Sequence, residues 1–338
     1  MMSGAEELVL PASWSATAEN KHSTRWMRFL GRITSPKMLR SPALLEQTLR
    51  GQVVVITGAS SGLGASLASH CAAAGAYVVI CARSTQLLEQ VAEKIRRTGG
   101  HVDIHTMDLA DDAQIMSFAS KVLAKYGRVD VLVHNAGKSL NRAIHLSYRR
   151  PKDLHASIAA NYIGPVRLTM ALLPYMRARG SGHIVNISTS GVLGPPNPKW
   201  GFYLASKIAL DWFLRAAAPE ATQDGVVITQ YYLGSVRTKM SAPGNVQRRF
   251  PSQSADEAAW GVAHALVHRP RAHAWRPMYA INVVAVAFRF PIEKALRRSV
   301  RAIPETRASL ERAVPQEEFV SGDPKSLAAS QFLDTREA

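Results

Sequence analysis

Cysteine is scarce in this chain, with 2 residues in 338. Cys71 and Cys81 lie in apparent core elements and not in a spaced framework, so we expect no disulfide and a reducing compartment. Long apolar runs are also missing. The longest, Met278 to Phe288, is interrupted by Asn282 and is shorter than the about 20 residues of a membrane-spanning helix. The N-terminus lacks the features of a secretory signal. These absences predict a cytoplasmic protein that is at most peripheral to a membrane.

Acidic residues are few relative to basic ones. The chain has 25 Asp and Glu against 41 Lys and Arg, for a net charge of +16. Such a surface can meet nucleic acid, anionic lipid or an anionic substrate. The common nucleic-acid-binding motifs are not evident, so we expect no nucleic-acid partner.

Apolar runs alternate with helical segments, which is the pattern of an α/β fold with a parallel sheet and crossover helices. The strands are continuous apolar runs, as expected of a sheet covered on both faces. Predicted strands are 53–57, 77–82, 102–106, 130–134, 183–188 and 226–232. Predicted helices are 62–74, 84–98, 111–126, 152–178 and 202–218.

Two patterns carry chemistry. A glycine-rich segment from Thr57 to Gly64 follows the first strand and begins a helix, where backbone N–H groups can bind a pyrophosphate. Tyr203 precedes Lys207 by four residues, which places both side chains on one helix face. An ammonium there can make the phenol a better acid near neutral pH.

These motifs occur in an order that resembles the short-chain dehydrogenase/reductase family over about residues 51–275. The others are His134 to Gly137, Asn161 to Gly164, Asn186 to Thr189 and Leu233 to Thr238. The resemblance implies one Rossmann-type, doubly wound domain at 49–290, with extensions at 1–48 and 291–338. It also implies hydride transfer between a nicotinamide and a carbonyl or alcohol. Three further segments resemble bacterial reductases of long-chain fatty acyl and aldehyde groups: Ile187 to Val192, Ala216 to Glu220 and His268 to Pro270.

The end of the second strand indicates the cofactor. NAD-binding members usually have an acid there, whereas this chain has Arg83 and Ser84, and its nearest acid is Glu89. A guanidinium and a hydroxyl suit a 2′-phosphate, which predicts NADP(H). Asp108 resembles the family's adenine-contacting acid and also suits a helix N-cap region. The resemblance implies this full set of cofactor residues: Gly58, Ser60, Ser61, Gly62, Leu63, Gly64, Arg83, Ser84, Asp108, Asn135, Ala136, Gly137, Tyr203, Lys207, Val236 and Thr238.

Tyr203 is the predicted proton donor to the substrate oxygen, and Lys207 supplies a cation beside it. By resemblance, Lys207 also binds the nicotinamide ribose and Asn161 holds a water linked to the lysine. The hydroxyl that orients the substrate has two candidates. Strand register favours Thr189, although its spacing to Tyr203 is one residue longer than usual for the family. The usual spacing selects Ser190.

Several residues depart from the family pattern or invite another function. His134 stands where asparagine is commoner, and we expect a hydrogen-bonded structural residue. Leu233 replaces a frequent proline. His264 and His268 are four apart on a predicted helix but lack a third ligand, so we predict no metal site.

The regions outside the motifs bear on which substrate the protein binds and on whether it contacts a membrane. Met240, Phe250, Trp260 and Trp275 predict an apolar substrate wall and hence a hydrophobic carbonyl or alcohol. Basic residues alternate with Trp26 and Phe29 in the N-terminal extension, which either lies on an anionic membrane or packs on the enzyme. The C-terminal tail is basic and then polar.

Two other function classes remain open at this point. The fold could serve as a nucleotide-binding scaffold without turnover, or as a membrane-surface module. Tyr203 and Lys207 favour the enzyme, and the family resemblance leads us to expect a homo-oligomer.

Overall fold

A computed structural model describes residues 30, 32, 34–148, 150–238 and 251–299. In these parts of the chain, seven strands form one parallel sheet in the order β3-β2-β1-β4-β5-β6-β7. The strands are β1 (Val53–Thr57), β2 (Tyr77–Ala82), β3 (His101–Thr106), β4 (Val131–His134), β5 (Gly182–Thr189), β6 (Val226–Leu233) and β7 (Ala272–His273). The α/β prediction is confirmed, and the six predicted strands agree with the observed ones to within one residue at each end.

Helices cover both faces of this sheet. They are α1 (Pro42–Leu49), α2 (Gly62–Ala73), α3 (Thr85–Arg97), α4 (Asp112–Tyr126), α5 (Pro151–Ile158), α6 (Gly164–Ala178), α7 (Gly201–Gln223), α8 (Ala255–His268), α9 (Pro277–Ala287) and α10 (Arg289–Ser299). The segment predicted as one helix at 152–178 contains a π-helical turn at Ala159–Ile163 between α5 and α6. Helix α7 runs past Pro219, where the prediction ended it, and buries Ala221 in the core.

Successive residues of a strand point to opposite faces, so the sheet separates two cores. On one face, Ile56 and Ile80 pack with residues of α1, α2, α3 and α8. On the other, Val55 and Leu132 pack with residues of α4, α6 and α7. Strand order reverses beside β1, whose neighbours are β2 and β4, and this topological switch point opens a crevice at the carboxyl ends of the strands.

The described part of the N-terminal extension packs against the domain. Leu39 and Leu45 are buried, and the Leu39 N–H donates to the Trp260 carbonyl at 2.9 Å. The Lys37 carbonyl lies 2.9 Å from His273 Nε2, and Arg32 pairs with Glu257. Of the two alternatives for this segment, packing therefore holds for residues 34–49. The proposed lipid-contacting side chains, Trp26 and Phe29, lie outside the described residues.

Helices α9 and α10 follow β7 at the periphery of the molecule. Helix α9 buries none of its residues, and α10 continues from it after Phe288. Among the described helices, none has both the length and the apolar character needed to cross a bilayer.

Candidate active site

The glycine-rich segment forms a tight turn between β1 and α2. Gly58 and Gly62 have φ values of +67° and +57°, which side chains rarely adopt. A Cβ on Gly58 would lie 2.6 Å from the Ala136 Cα, and one on Gly64 would lie 2.4 Å from Asn135 Nδ2. Glycine is required here because neighbouring backbone approaches closely. The turn leaves the N-terminus of α2 open to the crevice, where it can bind a phosphate.

Asn135, which follows β4, fixes this turn against the neighbouring loop. Its Nδ2 donates to the carbonyl oxygens of Thr57 and Gly58 at 2.9 and 3.1 Å. In return, the Thr57 hydroxyl accepts from the N–H groups of Asn135 and Ala136 at 3.1 and 3.0 Å. The two loops that border the switch point are therefore held together by side chains of the motifs.

A cleft of about 580 Å³ lies above this turn. Every residue predicted to bind the cofactor lines it, from the glycine turn through Arg83 and Asp108 to Tyr203 and Lys207. Thr238 extends over the glycine turn, since its Cγ2 lies 3.1 Å from the point that a Cβ on Gly62 would occupy. The crevice thus joins the glycine turn to the tyrosine and lysine in one site.

Two polar residues of the cleft have additional structural roles. The Ser84 hydroxyl caps α3 by accepting from the Leu87 N–H at 3.4 Å. Asp108 Oδ1 accepts from the Ala110 N–H at 3.0 Å, whereas the N-cap of α4 is Asp111. Asp108 therefore lies in the N-cap region of α4, in the turn that precedes the cap, and its own N–H donates to Gln114 Oε1 at 2.9 Å.

Tyr203 and Thr189 meet at the end of β5. A hydrogen bond joins the Thr189 hydroxyl to the Tyr203 phenol. Thr189 Oγ1 also lies 3.3 Å from the Gly191 N–H, which turns the chain into a short 3₁₀ segment at Ser190–Val192. Of the two candidate hydroxyls, the structure thus brings Thr189 to the tyrosine, while Ser190 is the first residue of the turn.

Lys207 lies one helical turn beyond Tyr203 and is 5% exposed. Its Nζ donates to the Ile187 carbonyl at 2.9 Å, and a Cβ on Gly137 would lie 3.4 Å from it. Burial lowers the pKa of Lys207 to about 8. Burial also raises the pKa of Tyr203, and the hydrogen bond with Thr189 opposes this rise. The expected lowering of the Tyr203 pKa is therefore not found. The raised pKa keeps the phenol protonated, and hence able to donate a proton, near neutral pH.

Asn161 lies in the π-helical turn and is fully buried. Its amide accepts from the Lys138 N–H at 2.7 Å and donates to the Lys138 carbonyl at 2.9 Å. Its Nδ2 also contacts Ser206 Oγ at 2.9 Å, and that hydroxyl donates to the Tyr203 carbonyl at 2.8 Å. Ser206 was not among the predicted site residues, although its position between Tyr203 and Lys207 was a usable signal.

Other predicted residues have structural surroundings. His134 is buried, its Nε2 lies 2.8 Å from Thr169 Oγ1, and burial lowers its pKa to about 3, which agrees with the structural interpretation. Trp260 lies against His70, with ring centres 4.4 Å apart, and packs half-buried against the core beside α2, so its predicted place in a substrate wall is wrong. Met240 and Phe250 lie outside the described residues.

The histidines of α8 form a small stack. The ring centre of His264 lies 4.3 Å from that of His268 and 4.6 Å from that of His273, and burial lowers the pKa of His264 to about 4. Within residues 34–148, 150–238 and 251–299, His, Cys, Asp and Glu side chains form no group of three suited to a metal ion.

Fold and site together define a nucleotide-dependent oxidoreductase. A sequence model described as short chain dehydrogenase matches residues 52–249. The chain belongs to the short-chain dehydrogenase/reductase family and is an NAD(P)-dependent enzyme of that class.

Two fatty acyl-CoA reductases are among the proteins similar to this chain. A fatty acyl-CoA reductase of Acinetobacter baylyi is 41% identical over 229 residues, or 68% of this chain and 77% of that protein. A fatty acyl-CoA reductase of Mycobacterium tuberculosis is 36% identical over 251 residues, which are 74% of this chain and 85% of that protein.

Solved structures agree on the fold. A metagenomic short-chain oxidoreductase in complex with NADP aligns with a TM-score of 0.57 and 36% identity, over 65% of this chain and 93% of that one. A short-chain dehydrogenase from Streptomyces avermitilis aligns with a TM-score of 0.63 and 28% identity, over 74% of this chain and 99% of that one.

Proposed function

We propose that this protein is an NADP(H)-dependent reductase of long-chain fatty acyl groups. The observation that carries the proposal is that Tyr203, hydrogen-bonded to Thr189, lines the same cleft as Lys207 and the glycine turn. This arrangement suits hydride transfer to a carbonyl whose oxygen receives a proton.

The residues present fit NADP(H). The glycine turn and the N-terminus of α2 would hold the pyrophosphate, and Arg83 would bind the 2′-phosphate. Asp108 would contact the adenine, while Gly137, Val236 and Thr238 would border the nicotinamide half. The cofactor, when bound, supplies the hydride.

The protein's own side chains would position and protonate the substrate. Thr189 would donate a hydrogen bond to the carbonyl oxygen, and Tyr203 would transfer its phenolic proton to that oxygen. Lys207 would bind the ribose and stabilise the phenolate left behind. Asn161 would hold the backbone of Lys138 beside them. Ser190 remains the alternative for the orienting hydroxyl.

The substrate class rests on the relatives and on the apolar surroundings of Tyr203. The Trp200 ring lies 5.5 Å from the Tyr203 ring, and Leu193 forms a small apolar cluster with Tyr232 and Ala274. An acyl-CoA is also anionic, which suits a chain of net charge +16. In the proposed reaction, hydride addition to the thioester carbon and protonation of its oxygen give a thiohemiacetal. Its carbon–sulfur bond then breaks and the hydroxyl proton passes to sulfur, so that acyl-CoA, NADPH and a proton give the aldehyde, NADP⁺ and free CoA.

The test is a chain-length series with pure protein. NADPH oxidation should be fastest with long-chain acyl-CoA, and mass spectrometry should identify the aldehyde and free CoA. Long-chain aldehydes, steroids and retinoids serve as comparison substrates. If the protein reduces one of these compounds but not acyl-CoA, the proposed substrate is wrong and that compound's class replaces it. Absence of turnover with every substrate, together with NADPH binding, would favour a non-catalytic nucleotide-binding scaffold.

We also propose a cytoplasmic homo-oligomer. Met170 on α6 and Trp212 on α7 are exposed large apolar side chains, as expected of surfaces that self-associate. The free thiols of Cys71 and Cys81 are buried, which fits a reducing compartment. Light scattering of the protein and of Trp212→Lys tests the oligomer: a mass that stays at one chain in both would contradict it.

A further inference from the structure

Helix α9 is apolar around its whole circumference and yet exposed. Its sequence, Pro277 to Ala287, contains one polar side chain other than the tyrosine hydroxyl, Asn282. None of its residues is buried, and Val283 and Val286 are 68% and 70% exposed. Phe288 and Phe290 continue the surface, with Phe290 80% exposed. A surface helix normally turns its apolar stripe to the core, so an exposed patch of this kind marks a binding surface.

The helix is attached to the body at the active-site loop. Asn282 Nδ2 donates to the Leu193 carbonyl at 3.0 Å, and Met278 packs against the cluster of Leu193, Tyr232 and Ala274. Leu193 directly follows the 3₁₀ turn that begins after Thr189. The apolar surface therefore adjoins the loop at the catalytic end of the cleft.

Cations border the apolar surface on both sides. Arg276 precedes α9, and α10 carries exposed Arg289, Lys294, Arg297 and Arg298. The single acid of α10, Glu293, pairs with Arg289 at 2.9 Å. Lys294, Arg297 and Arg298 follow i, i+3, i+4 spacing and so share one face of α10.

We propose that α9 and α10 dock together on an anionic phospholipid bilayer. An apolar helix edged by lysine and arginine matches the chemistry of an acyl boundary beneath anionic headgroups. An 11-residue helix is about 16 Å long, and a bilayer core is about 30 Å thick, so the helix lies within the interface and does not span it. This docking surface is independent of the substrate proposed above, and it places the loop at Leu193 close to the lipid.

The experiment is vesicle co-sedimentation of the full chain. Vesicles of phosphatidylcholine alone are compared with vesicles that contain phosphatidylglycerol, at low and high salt. The apolar variant combines Val283→Ser, Val286→Ser and Phe290→Ser, and the charge variant combines Arg297→Glu and Arg298→Glu. Met116→Ser on α4 is the matched control, since Met116 is 56% exposed and far along the chain from α9. NADPH affinity and thermal melting check that each variant is folded.

We expect the original protein and the control to bind the anionic vesicles, and both other variants to bind at least tenfold more weakly. High salt should weaken binding of the original protein, because each cation near the headgroups contributes about 1 kcal/mol. Deletion of residues 1–29 should leave most of the binding in place.

Three outcomes would overturn the proposal. The apolar variant could bind vesicles as tightly as the original protein. The deletion of residues 1–29 could abolish binding on its own, which would assign the lipid contact to the N-terminus. The original protein could fail to bind vesicles and form an oligomer in light scattering, while the apolar variant is a monomer. This result would make α9 an interface between copies of the chain.

Discussion

The Lys207 ammonium donates to the carbonyl oxygen of Ile187 at 2.9 Å, at the centre of the active site. This bond ties α7 to β5 beneath the substrate position. It gives the buried ammonium one partner, while burial still lowers the pKa of Lys207 to about 8. A lysine with this pKa changes charge in an accessible pH range, so its protonation can be measured.

The first prediction concerns the pH dependence of the reaction. If ribose binding and phenolate stabilisation need the ammonium, kcat/KM for NADPH should fall above pH about 8, where Lys207 loses its proton. The Lys207→Arg variant stays charged at high pH, so any residual activity should lack this decline. The pH profile of kcat/KM in both proteins is the measurement, and an unchanged alkaline limb in the variant would assign the decline to another group.

The same pKa predicts a stability change. The unfolded lysine holds its proton up to about 10.5, whereas the folded one releases it near 8. The unfolded state therefore binds more protons in this window, and the free energy of unfolding should rise with pH through it, by up to about 3 kcal/mol from this group. Urea denaturation of the original protein and of Lys207→Met isolates the effect: their stability difference should change between pH 8 and 10.5 and stay constant below pH 7.

Tyr203→Phe should reduce turnover by about 100- to 10,000-fold, because it removes the proposed proton donor. NADPH affinity should change little, since the phenyl ring keeps its contact with Trp200. Calorimetric titration and steady-state rates together test this. A parallel loss of NADPH binding would mean that the hydroxyl holds the cofactor.

Thr189→Ala should cost about 10- to 100-fold in rate, because the hydroxyl bonded to Tyr203 is lost. Ser190→Ala is the matched control and should cost less than threefold. Comparison of kcat for the two variants decides between them. If the order is reversed, Ser190 is the orienting residue.

NADPH should bind at least tenfold more tightly than NADH, and Arg83→Asp should erode or reverse this preference. Ser84→Ala has a different expected result: it should lower the free energy of unfolding by about 1 kcal/mol, because Ser84 caps α3. Calorimetric titration with both cofactors measures the first effect. Equal affinities in the original protein would remove the basis for assigning the phosphate to Arg83.

Deletion of residues 1–48 should prevent folding or lower stability by several kcal/mol, since it removes the buried Leu39 and Leu45. Deletion of residues 1–29 keeps both leucines and should leave stability unchanged. Thermal melting and activity distinguish the two truncations. Equal stability of both would mean that the packing of α1 contributes little.

The central fold could be predicted because its strands are continuous apolar runs with turn residues between them. Strand β7 has two residues and no apolar run, so it gave no signal in the sequence. The π-helical turn was also invisible, since Ala159 to Ile163 fit a regular helix equally well. Leu39 packs against α8, and the two are roughly 200 residues apart along the chain. No local sequence pattern encodes a contact between residues so far apart.

The site could be predicted where the spacing of residues along the chain determines their positions in space. Gly58 and Gly64 were predicted as cofactor residues, and the structure shows close backbone approach at both. All the predicted cofactor residues line one cleft. The roles of those residues stay predictions. The pKa of Tyr203 could not be deduced from the sequence because it depends on burial and on the hydrogen bond with Thr189.

Asn161 pairs with both backbone groups of Lys138 through its amide, and this pairing makes no use of the Lys138 side chain. The two positions therefore differ in mutational tolerance. Residue 161 must keep a planar amide of this length, whereas residue 138 can change in size or charge while the loop after β4 stays in place. Because residue 138 also lines the cleft, it offers a position where altered substrate preference need not compromise the fold.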